Sequence, residues 1–243
     1  MSKDHSVTLE EAKKLAAYHA ADQMFKTESN LSTIGIGSGS TVIYAVERIA
    51  DHVKSNKLWN IKFVPTSFQA KQLIVDHNLP LTELEIDYNL DCTIDGADEV
   101  DADKFCIKGG GGCLTQEKIV ASCSKRLMIV CDYTKVSHHL GEKWIKGIPI
   151  EVIPLAWVPI KNRIEKNFGG QAILRMAMKK AGPVVTDNGN FILDWKFDPT
   201  VARNWHETNT ALTMIPGVVE SGLFLDMASD VYFCSENGEV REL

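Results

Sequence analysis

The chain has 243 residues, a formal net charge of −6 at pH 7 and a hydrophobic content of 44%. Its isoelectric point near 5.7 argues against a general nucleic-acid-binding surface, which would need a basic stripe and a high isoelectric point. The N-terminal sequence MSKDHSVTLEEAKK lacks the pattern of a secretory signal, and no apolar run approaches the roughly 18 residues of a membrane span. Six cysteines without a CxxC pair predict neither a zinc site nor a disulfide framework. We therefore expect a cytoplasmic protein that binds neither nucleic acid nor a membrane.

The first part of the chain alternates predicted helices and strands. Thr8, followed three residues later by Glu11, makes a capping box, and the apolar spacing continues this helix to Met24, with its end near residues 27–30. The other predicted elements are strands 33–37, 61–65, 91–95, 104–107 and 127–131, and helices 41–53, from a Ser67 cap to about 77, and from a Thr115 cap to about 124. This alternation predicts an α/β fold with a mostly parallel sheet and helices on both faces, in which ligands lie beyond the carboxyl ends of strands.

Around Gly147 the sequence changes character, because prolines and glycines separate shorter elements. This change predicts a second, smaller α+β unit. Its predicted elements are strands 148–153, 171–178 and 190–195, helices 158–167 and 208–215, and a turn at Asn188-Gly189. After Gly217 the chain returns to predicted strands at 222–225 and 231–234, followed by a hairpin turn at Asn237-Gly238.

A glycine- and serine-rich loop, GIGSGST at residues 35–41, follows the first predicted strand and opens a helix. Backbone amides, hydroxyl groups and the helix dipole at such a loop favour an anion, and phosphate is the expected guest. A dinucleotide fingerprint would need a glycine at position 40, where this chain has Ser40, and an acidic residue about 20 residues later. The alternative interpretation is a tight turn that binds nothing.

Acidic residues cluster after the strand predicted at 91–95. Asp95 and Asp98 fall at the strand's carboxyl end, where side chains point towards a crevice, so we expect them to have a functional role rather than to be part of a solvated charged loop. A metal site is the rival interpretation, but the spacing does not match a calcium loop. Asp101 and Asp103 continue the acidic run, and we expect them to be a solvated charged loop.

Lys108 precedes four consecutive glycines, Gly109–Gly112, and this loop leads into the helix that carries Glu117. A lysine beside exposed backbone can meet a phosphate or a developing oxyanion, and a glutamate in the first turn of a helix is held as a carboxylate. The alternative is a surface lysine and a capping acid.

Cys113 is interpreted as a small buried apolar filler. Lys135, after the strand 127–131, is a second candidate cation for a phosphate, or else an ordinary loop lysine.

Several motifs together resemble the ribose-5-phosphate isomerase type A family. They are GIGSGST, VPTSFQAK, IDGADEVD, IKGGGGCLTQEKI, DYTK, IEVIP, VVTDNGN and IPGVV, and they occur in order along nearly the whole chain. The resemblance implies a Rossmann-like catalytic domain of residues 1–146 plus 218–243 and a smaller ferredoxin-like α+β domain of residues 147–217. It also implies assembly as a homodimer or homotetramer.

The activity implied by the resemblance is the interconversion of ribose 5-phosphate and ribulose 5-phosphate through an enediol, in the non-oxidative branch of the pentose phosphate pathway. No metal and no organic cofactor is implied. Glu117 matches the family's base, and Asp95, Asp98 and Lys108 match the positions that polarise the carbonyl, handle hydroxyl protons and assist ring opening. The implied substrate-binding residues are Gly37, Ser38, Gly39, Ser40, Thr41, Gly109, Gly110, Gly111 and Lys135.

Two other classes of function remain open on the sequence. A sugar-phosphate-sensing module could keep the phosphate loop, although it need not keep the acids, the lysine and the glutamate together, and it would normally carry a DNA-binding segment. A nucleotide-dependent oxidoreductase is disfavoured by the broken dinucleotide fingerprint. Thermal shifts with NAD(P) and with ribose 5-phosphate would separate these classes.

Overall fold

The computed structural model describes residues 7–27 and 30–243. The helices are α1 (Leu9–Thr27), α2 (Ser40–Asn56), α3 (Phe68–Asp76), α4 (Leu114–Ser122), α5 (Trp157–Phe168) and α6 (Trp205–Thr213). The first strands are β1 (Thr33–Ile36), β2 (Lys62–Pro65), β3 (Cys92–Gly96), β4 (Glu99–Val100), β5 (Cys106–Ile107) and β6 (Leu127–Asp132). The later strands are β7 (Ile148–Val152), β8 (Gln171–Leu174), β9 (Phe191–Lys196), β10 (Val218–Ser221), β11 (Leu223–Phe224), β12 (Ala228–Cys234) and β13 (Val240–Glu242).

The first of two compact units lies within Met1–Ala97, Gln116–Val136 and Met227–Leu243. Its sheet has the strand order β13-β12-β6-β3-β1-β2, and all neighbouring pairs are parallel except the hairpin β12–β13. β2 and β3 lie on opposite sides of β1, so the winding of the sheet reverses between β1 and β3. In open α/β sheets this reversal is where ligands bind, beyond the carboxyl ends of the strands.

The core of this unit explains why its strands are continuous apolar runs. Every residue of β1 and β6 is buried, as expected for parallel strands covered by helices on both faces. Thr8 and Glu11 make the predicted capping box at the start of α1, with Thr8 N donating to Glu11 Oε2 at 2.9 Å. α1 buries mainly alanines together with Met24, whereas Leu15 is exposed. Small side chains allow this helix to approach its neighbours closely.

The second unit comprises Asp98–Thr115 and Ser137–Asp226. Its main sheet is antiparallel with the order β10-β7-β9-β8, and the chain runs β7-α5-β8-β9-α6-β10. This is the ferredoxin-like βαββαβ arrangement. A smaller sheet, β11-β5-β4, belongs to the same unit. The core is apolar, and Trp195 is its largest fully buried side chain.

The predicted segment 147–217 lies inside this second unit, which extends beyond it on both sides. The additional residues pack here because β5 pairs with β4 and β11, and because Glu99 accepts hydrogen bonds from Gly141 N and Lys143 N at 2.7 Å each. Residues 98–115, 137–146 and 218–226 are therefore grouped with the ferredoxin-like unit.

Several predicted element boundaries were wrong. The strand expected at 104–107 is only Cys106–Ile107, since Lys104 has a φ of 62°, which a strand does not allow. The strand expected at 171–178 ends at Leu174, and the helix expected from a Thr115 cap begins one residue earlier, at Leu114. The first helix was predicted to end near residues 27–30, and residues 28–29 of this range lie outside the described residues. Residues 1–6, part of the N-terminal sequence in which no secretory signal was predicted, also lie outside them. Among described residues, no helix is long and apolar enough to cross a membrane.

Candidate active site

The loop after β1 is built around the carboxylate of Asp95 at the end of β3. Ser38 N and Gly96 N donate to Asp95 Oδ1 at 3.0 and 2.7 Å, and Gly37 N donates to Ile94 O at 2.9 Å. A Cβ on Gly37 would lie 2.0 Å from Asp95 Oδ1, so only glycine fits there. Asp95 is fully buried. The structure thus brings Gly37, Ser38 and Asp95 together at the β1/β3 reversal.

Residues that follow β2 complete this loop. Ser38 Oγ is 2.6 Å from Ser67 Oγ and 3.1 Å from Thr66 Oγ1, and Gly39 N donates to Gln69 Oε1 at 2.9 Å. Ser67 is also the N-cap of α3. These three residues were not predicted to belong to the site. The signal was present in the VPTSFQAK motif, because polar residues after a parallel strand share the edge with the neighbouring strand's loop.

The start of α2 places the remaining loop residues. Gly39 is the N-cap of this helix with a φ of 109°, a left-handed conformation that favours glycine. Gly39 and Ser40 are exposed, whereas Thr41 is buried. The amide groups in the first turn of a 17-residue helix present partial positive charge to an anion.

Lys135 lies at the same edge of the sheet, in a short 3-10 turn directly after β6. Asp132, at the end of β6, caps this turn by accepting a hydrogen bond from Thr134 N at 2.9 Å. β6 pairs in parallel with β3, so the two strands end at the same edge as the Asp95 loop. Lys135 is half-buried. Lys135, the predicted second cation, therefore lies at the same edge of the sheet as the loop Gly37–Thr41.

Glu117 occupies the first turn of α4 and is only 5% exposed. The helix packs closely against β1, since a Cβ on Gly35 would lie 2.8 Å from Val120 Cγ1. The amino end of the helix favours a carboxylate over a protonated acid. A buried carboxylate on a packed helix has little freedom of orientation, which suits a base that must meet one particular proton.

In the second unit, Asp98 and Lys108 flank the glycine loop. Asp98 Oδ2 accepts a hydrogen bond from Gly110 N at 2.6 Å. Lys108 is 2% exposed, its N–H donates to Gly222 O at 2.9 Å, and its Nζ lies 5.2 Å from the centre of the Phe224 ring. The attraction between an ammonium group and the face of an aromatic ring helps to fix the position of the lysine side chain in this buried site.

The glycine loop is fixed by an arginine from β8's end. Arg175 Nη1 donates to Gly109 O at 2.9 Å and to Gly110 O at 3.1 Å, while Arg175 Nε donates to Asp194 Oδ2 at 2.8 Å. Gly109 has a φ of 98°, which favours glycine at that position. Neither Arg175 nor Asp194 was predicted to belong to the site. No local motif marks them, because each is an isolated charge on its own strand or strand end.

A buried carboxylate, Glu151, stands behind the start of α4. Its oxygens accept hydrogen bonds from four donors: Thr115 Oγ1 at 2.7 Å, Thr186 Oγ1 at 2.8 Å, and Asn188 Nδ2 and Asn190 Nδ2 at 2.9 Å each. Thr115 was predicted as a helix cap, but its hydroxyl instead ties the first turn of α4 to this carboxylate. A glutamate in the apolar strand IPIEV signals such a buried polar role.

The remaining acids and Cys113 have structural surroundings. Asp101 was expected to be solvated but is 4% exposed and accepts hydrogen bonds from Asp103 N and Phe105 N, at 3.0 and 2.9 Å. Burial raises its pKa. Asp103 is exposed as expected, and Cys113 is partly exposed rather than buried. Among the described residues, no group of three or more His, Cys, Asp or Glu side chains is arranged to hold a metal ion.

Comparison with known proteins adds a separate finding. The model of the family described as ribose 5-phosphate isomerase A (phosphoriboisomerase A) matches residues 62–238, which is more than half of the chain. The chain belongs to this family. A ribose-5-phosphate isomerase from Sus scrofa is 57% identical over 232 residues, covering 96% of this chain and 74% of that protein. One from Dictyostelium discoideum is 53% identical, covering 97% of this chain and 98% of that protein.

Solved structures agree with this assignment to the ribose 5-phosphate isomerase A family. A D-ribose-5-phosphate isomerase in complex with phospho-erythronic acid is 38% identical, with a TM-score of 0.89 and coverage of 98% of this chain and 99% of that one. The family resemblance predicted from the motifs is therefore confirmed, and so is the fold class, a Rossmann-like unit with a smaller ferredoxin-like unit.

Proposed function

We propose that the chain interconverts D-ribose 5-phosphate and D-ribulose 5-phosphate by proton transfer through an enediol. The observation that carries the proposal is the buried Glu117 in the first turn of α4, in a chain of the ribose 5-phosphate isomerase A family. A single carboxylate that can lose and regain a proton is what an aldose–ketose isomerisation requires.

In the proposed reaction, Glu117 removes the proton from C2 of the open-chain aldose. The electrons of the C–H bond form the C1–C2 double bond, and O1 takes up a proton, which gives the enediol. Glu117 then returns its proton to C1 while O2 loses a proton and becomes the ketose carbonyl. No atom is gained or lost in the cycle, and Glu117 ends as the carboxylate it was at the start.

We assign the stabilisation of the developing negative charge to Lys108 and the glycine loop of the second unit. The Lys108 ammonium is buried, so its attraction for an oxyanion is less screened than it would be in water. Asp98 accepts the Gly110 N–H and so fixes the backbone beside that lysine. Asp95 and Asp98 are proposed to handle the hydroxyl protons and to assist ring opening.

We assign the phosphate to the first unit, where the loop Gly37–Thr41 opens α2 and Lys135 follows β6. Backbone amides at a helix N-terminus and a cation at the same edge of the sheet favour a dianion even in an acidic protein. Phospho-erythronic acid, bound by the solved relative, carries a phosphate and a carboxylate. We expect it to compete with ribose 5-phosphate for this chain.

The test is a coupled assay of ribose 5-phosphate isomerisation with the Glu117→Gln variant. The amide cannot accept the proton, so kcat should fall by about 10³-fold or more with KM nearly unchanged. Glu165→Gln is the matched control, since Glu165 lies on α5 in an ion pair with Lys161, and it should keep full activity. Near-normal turnover of Glu117→Gln would remove Glu117 from the role of base.

Two further measurements separate the competing classes of function. EDTA should leave activity intact if no metal takes part, whereas strong inhibition would favour a metal-assisted hydride shift. A thermal shift with ribose 5-phosphate but without turnover would indicate a sensing module, and a shift with NAD(P) alone would indicate an oxidoreductase.

We also propose a cytoplasmic location and a homodimeric or homotetrameric assembly. Six free cysteines suit a reducing compartment. Large apolar side chains are exposed on the second unit, among them Leu155 at 93% and Met214 at 75%, and such side chains suit an interface between subunits. Light scattering of the purified protein would give the assembly, and a monomeric mass would contradict this part of the proposal.

A further inference from the structure

Arg175 makes contacts that a surface arginine would not make. One of its terminal nitrogens, Nη1, donates to two successive carbonyls of the glycine loop, Gly109 O and Gly110 O. Its Nε and Nη2 donate to the two carboxylate oxygens of Asp194. The Arg175 and Asp194 side chains are only 16% and 17% exposed. The guanidinium therefore links β9 to the backbone of a loop that the proposed chemistry uses.

The direction of the loop's amide groups follows from these two carbonyl contacts. Across a trans peptide, the carbonyl of one residue and the N–H of the next point in opposite directions. Gly109 O points to Arg175, and the N–H of Gly110 accordingly points away from it, to Asp98 Oδ2. By the same geometry, Gly110 O points to Arg175, and the N–H of Gly111 points to the side away from the guanidinium.

Among the described residues, the Gly111 N–H is an amide of this loop that the loop's own hydrogen bonds do not use. Within the part of the chain that the structure describes, no acceptor is recorded for it, and a Cβ on Gly111 would meet nothing within 4 Å. The backbone at Gly111 therefore borders open space, and its N–H points to the same side of the loop as the Gly110 N–H, which donates to Asp98. Preorganised backbone N–H groups are common donors of oxyanion holes.

We propose that Arg175 and Asp194 are positioning residues, which hold the glycine loop so that the N–H of Gly111 donates to the oxygen that becomes negative during isomerisation. This inference rests on the proposed function. Four successive glycines have more conformational freedom than any other tetrapeptide, so without an outside constraint the amide would sample many directions. A lysine could not replace the arginine, because only the planar fork reaches two carbonyls and a carboxylate together.

The test uses Arg175→Ala in the ribose 5-phosphate assay. Losing the orientation of one oxyanion donor should lower kcat by about 10²-fold, while KM changes by less than about threefold because the phosphate site is untouched. Added guanidinium, at concentrations well below those that unfold the wild type, should restore part of the lost kcat by occupying the vacated space. Arg203→Ala is the matched control, since Arg203 lies over the Trp195 ring in the same unit, and it should show neither the kcat loss nor the rescue.

The outcomes separate this inference from the function on which it rests. If the wild type isomerises ribose 5-phosphate and folded Arg175→Ala keeps its kcat, or loses it without guanidinium rescue, the positioning role is overturned. A wild type without isomerase activity would overturn the proposed function and this inference together. If Arg175→Ala does not fold, Arg175→Lys and Asp194→Asn replace it, and both should lower kcat at nearly constant KM; wild-type kcat in both would overturn the role.

Discussion

Two glycine loops of this protein are held by different means. In the first unit, the loop Gly37–Thr41 is supported by the neutral side chains of Thr66, Ser67 and Gln69 and by one carboxylate, Asp95. In the second unit, the loop Gly109–Gly112 is supported by buried or half-buried charged groups, namely Asp98, the Arg175–Asp194 pair and, behind the next helix turn, Glu151.

The difference follows from the kind of sheet to which each loop is attached. Parallel strands all end at one edge, so the loops after β1, β2 and β3 lie side by side without further constraint, and hydroxyl groups suffice to join them. The second loop follows β5, a strand of only two residues in a small antiparallel sheet. This loop has no neighbouring parallel strand ends to position it, and charge-assisted hydrogen bonds hold it instead. We therefore expect the second unit to be more sensitive to loss of a single charged side chain.

The strongest test of this contrast is Glu151→Ala. Removing the buried carboxylate leaves four donors without their acceptor, two of them on the buried residues Thr115 and Thr186, so the free energy of unfolding should fall by about 3–5 kcal/mol. Glu165→Ala, which removes the partly exposed carboxylate of an ion pair in the same unit, should lower the free energy of unfolding far less. Urea titrations followed by tryptophan fluorescence measure both. Equal losses would mean that the buried network is no more important than a surface ion pair.

Gly37→Ala tests the tightest point of the first loop. The added Cβ would overlap the Asp95 carboxylate, so we expect a loss of about 1–3 kcal/mol in the free energy of unfolding. Isomerase activity should fall as well, because Asp95 must move. Gly96→Ala is the matched control: its Cβ would lie 3.6 Å from Ser38 O, an ordinary contact. If the two variants lose the same stability, the close approach of Gly37 to Asp95 does not constrain the loop.

Asp91→Asn tests whether the first unit also depends on a charged side chain. Asp91 directly precedes β3, at the end of the strand opposite to Asp95. Burial raises the pKa of Asp91, but hydrogen bonds from Lys125, Ser32 and Thr33 outweigh it and lower the pKa to about 2. Because the pKa is depressed in the folded state, this stabilisation is present above pH 4 and is lost as the pH falls through 2. Allowing for the exposed Lys125, the variant should be less stable by about 1–2 kcal/mol at pH 7.

The pH dependence is the control within that experiment. The stability difference between the wild type and Asp91→Asn should shrink steadily between pH 4 and pH 2, since only the wild type takes up a proton there. Denaturant titrations at several pH values give this difference. A gap that stays constant with pH would show that the asparagine disturbs packing rather than removing a charge.

Ser67→Ala should have the smallest effect and tests the neutral supports of the first loop. The variant loses the N-cap of α3, which is worth about 1 kcal/mol of stability. It also loses the contact with Ser38 Oγ, so KM for ribose 5-phosphate should rise roughly fivefold, the equivalent of about 1 kcal/mol for one hydrogen bond. Asn204→Ala removes the cap of α6 and should cost similar stability without changing KM. A KM that is unchanged in Ser67→Ala would exclude Ser67 from supporting the loop.

Much of the first unit was predictable because its signals are local. The alternation of apolar runs with glycine and serine loops predicted β1, α2, β2 and α3 to within a few residues, and the Ser67 cap is confirmed by its hydrogen bond from Ala70 N. The second unit was harder. Strands of two residues such as β4 and β5 are too short to show a periodic pattern. The strand predicted at 104–107 was too long at its start, because Lys104 has a left-handed backbone conformation.

The amino-acid sequence by itself determined the family and the candidate residues, because the motifs around Ser38, Asp95, Lys108 and Glu117 are contiguous and unusual. Only the tertiary structure decided what supports them. Arg175 is 65 residues from the Gly110 carbonyl that it binds, and Glu151 is 36 residues from Thr115, so each contact exists only after the antiparallel sheet has formed. A hydrogen bond depends on the direction of two groups in space, and residues that far apart in the chain share no local pattern that could encode it.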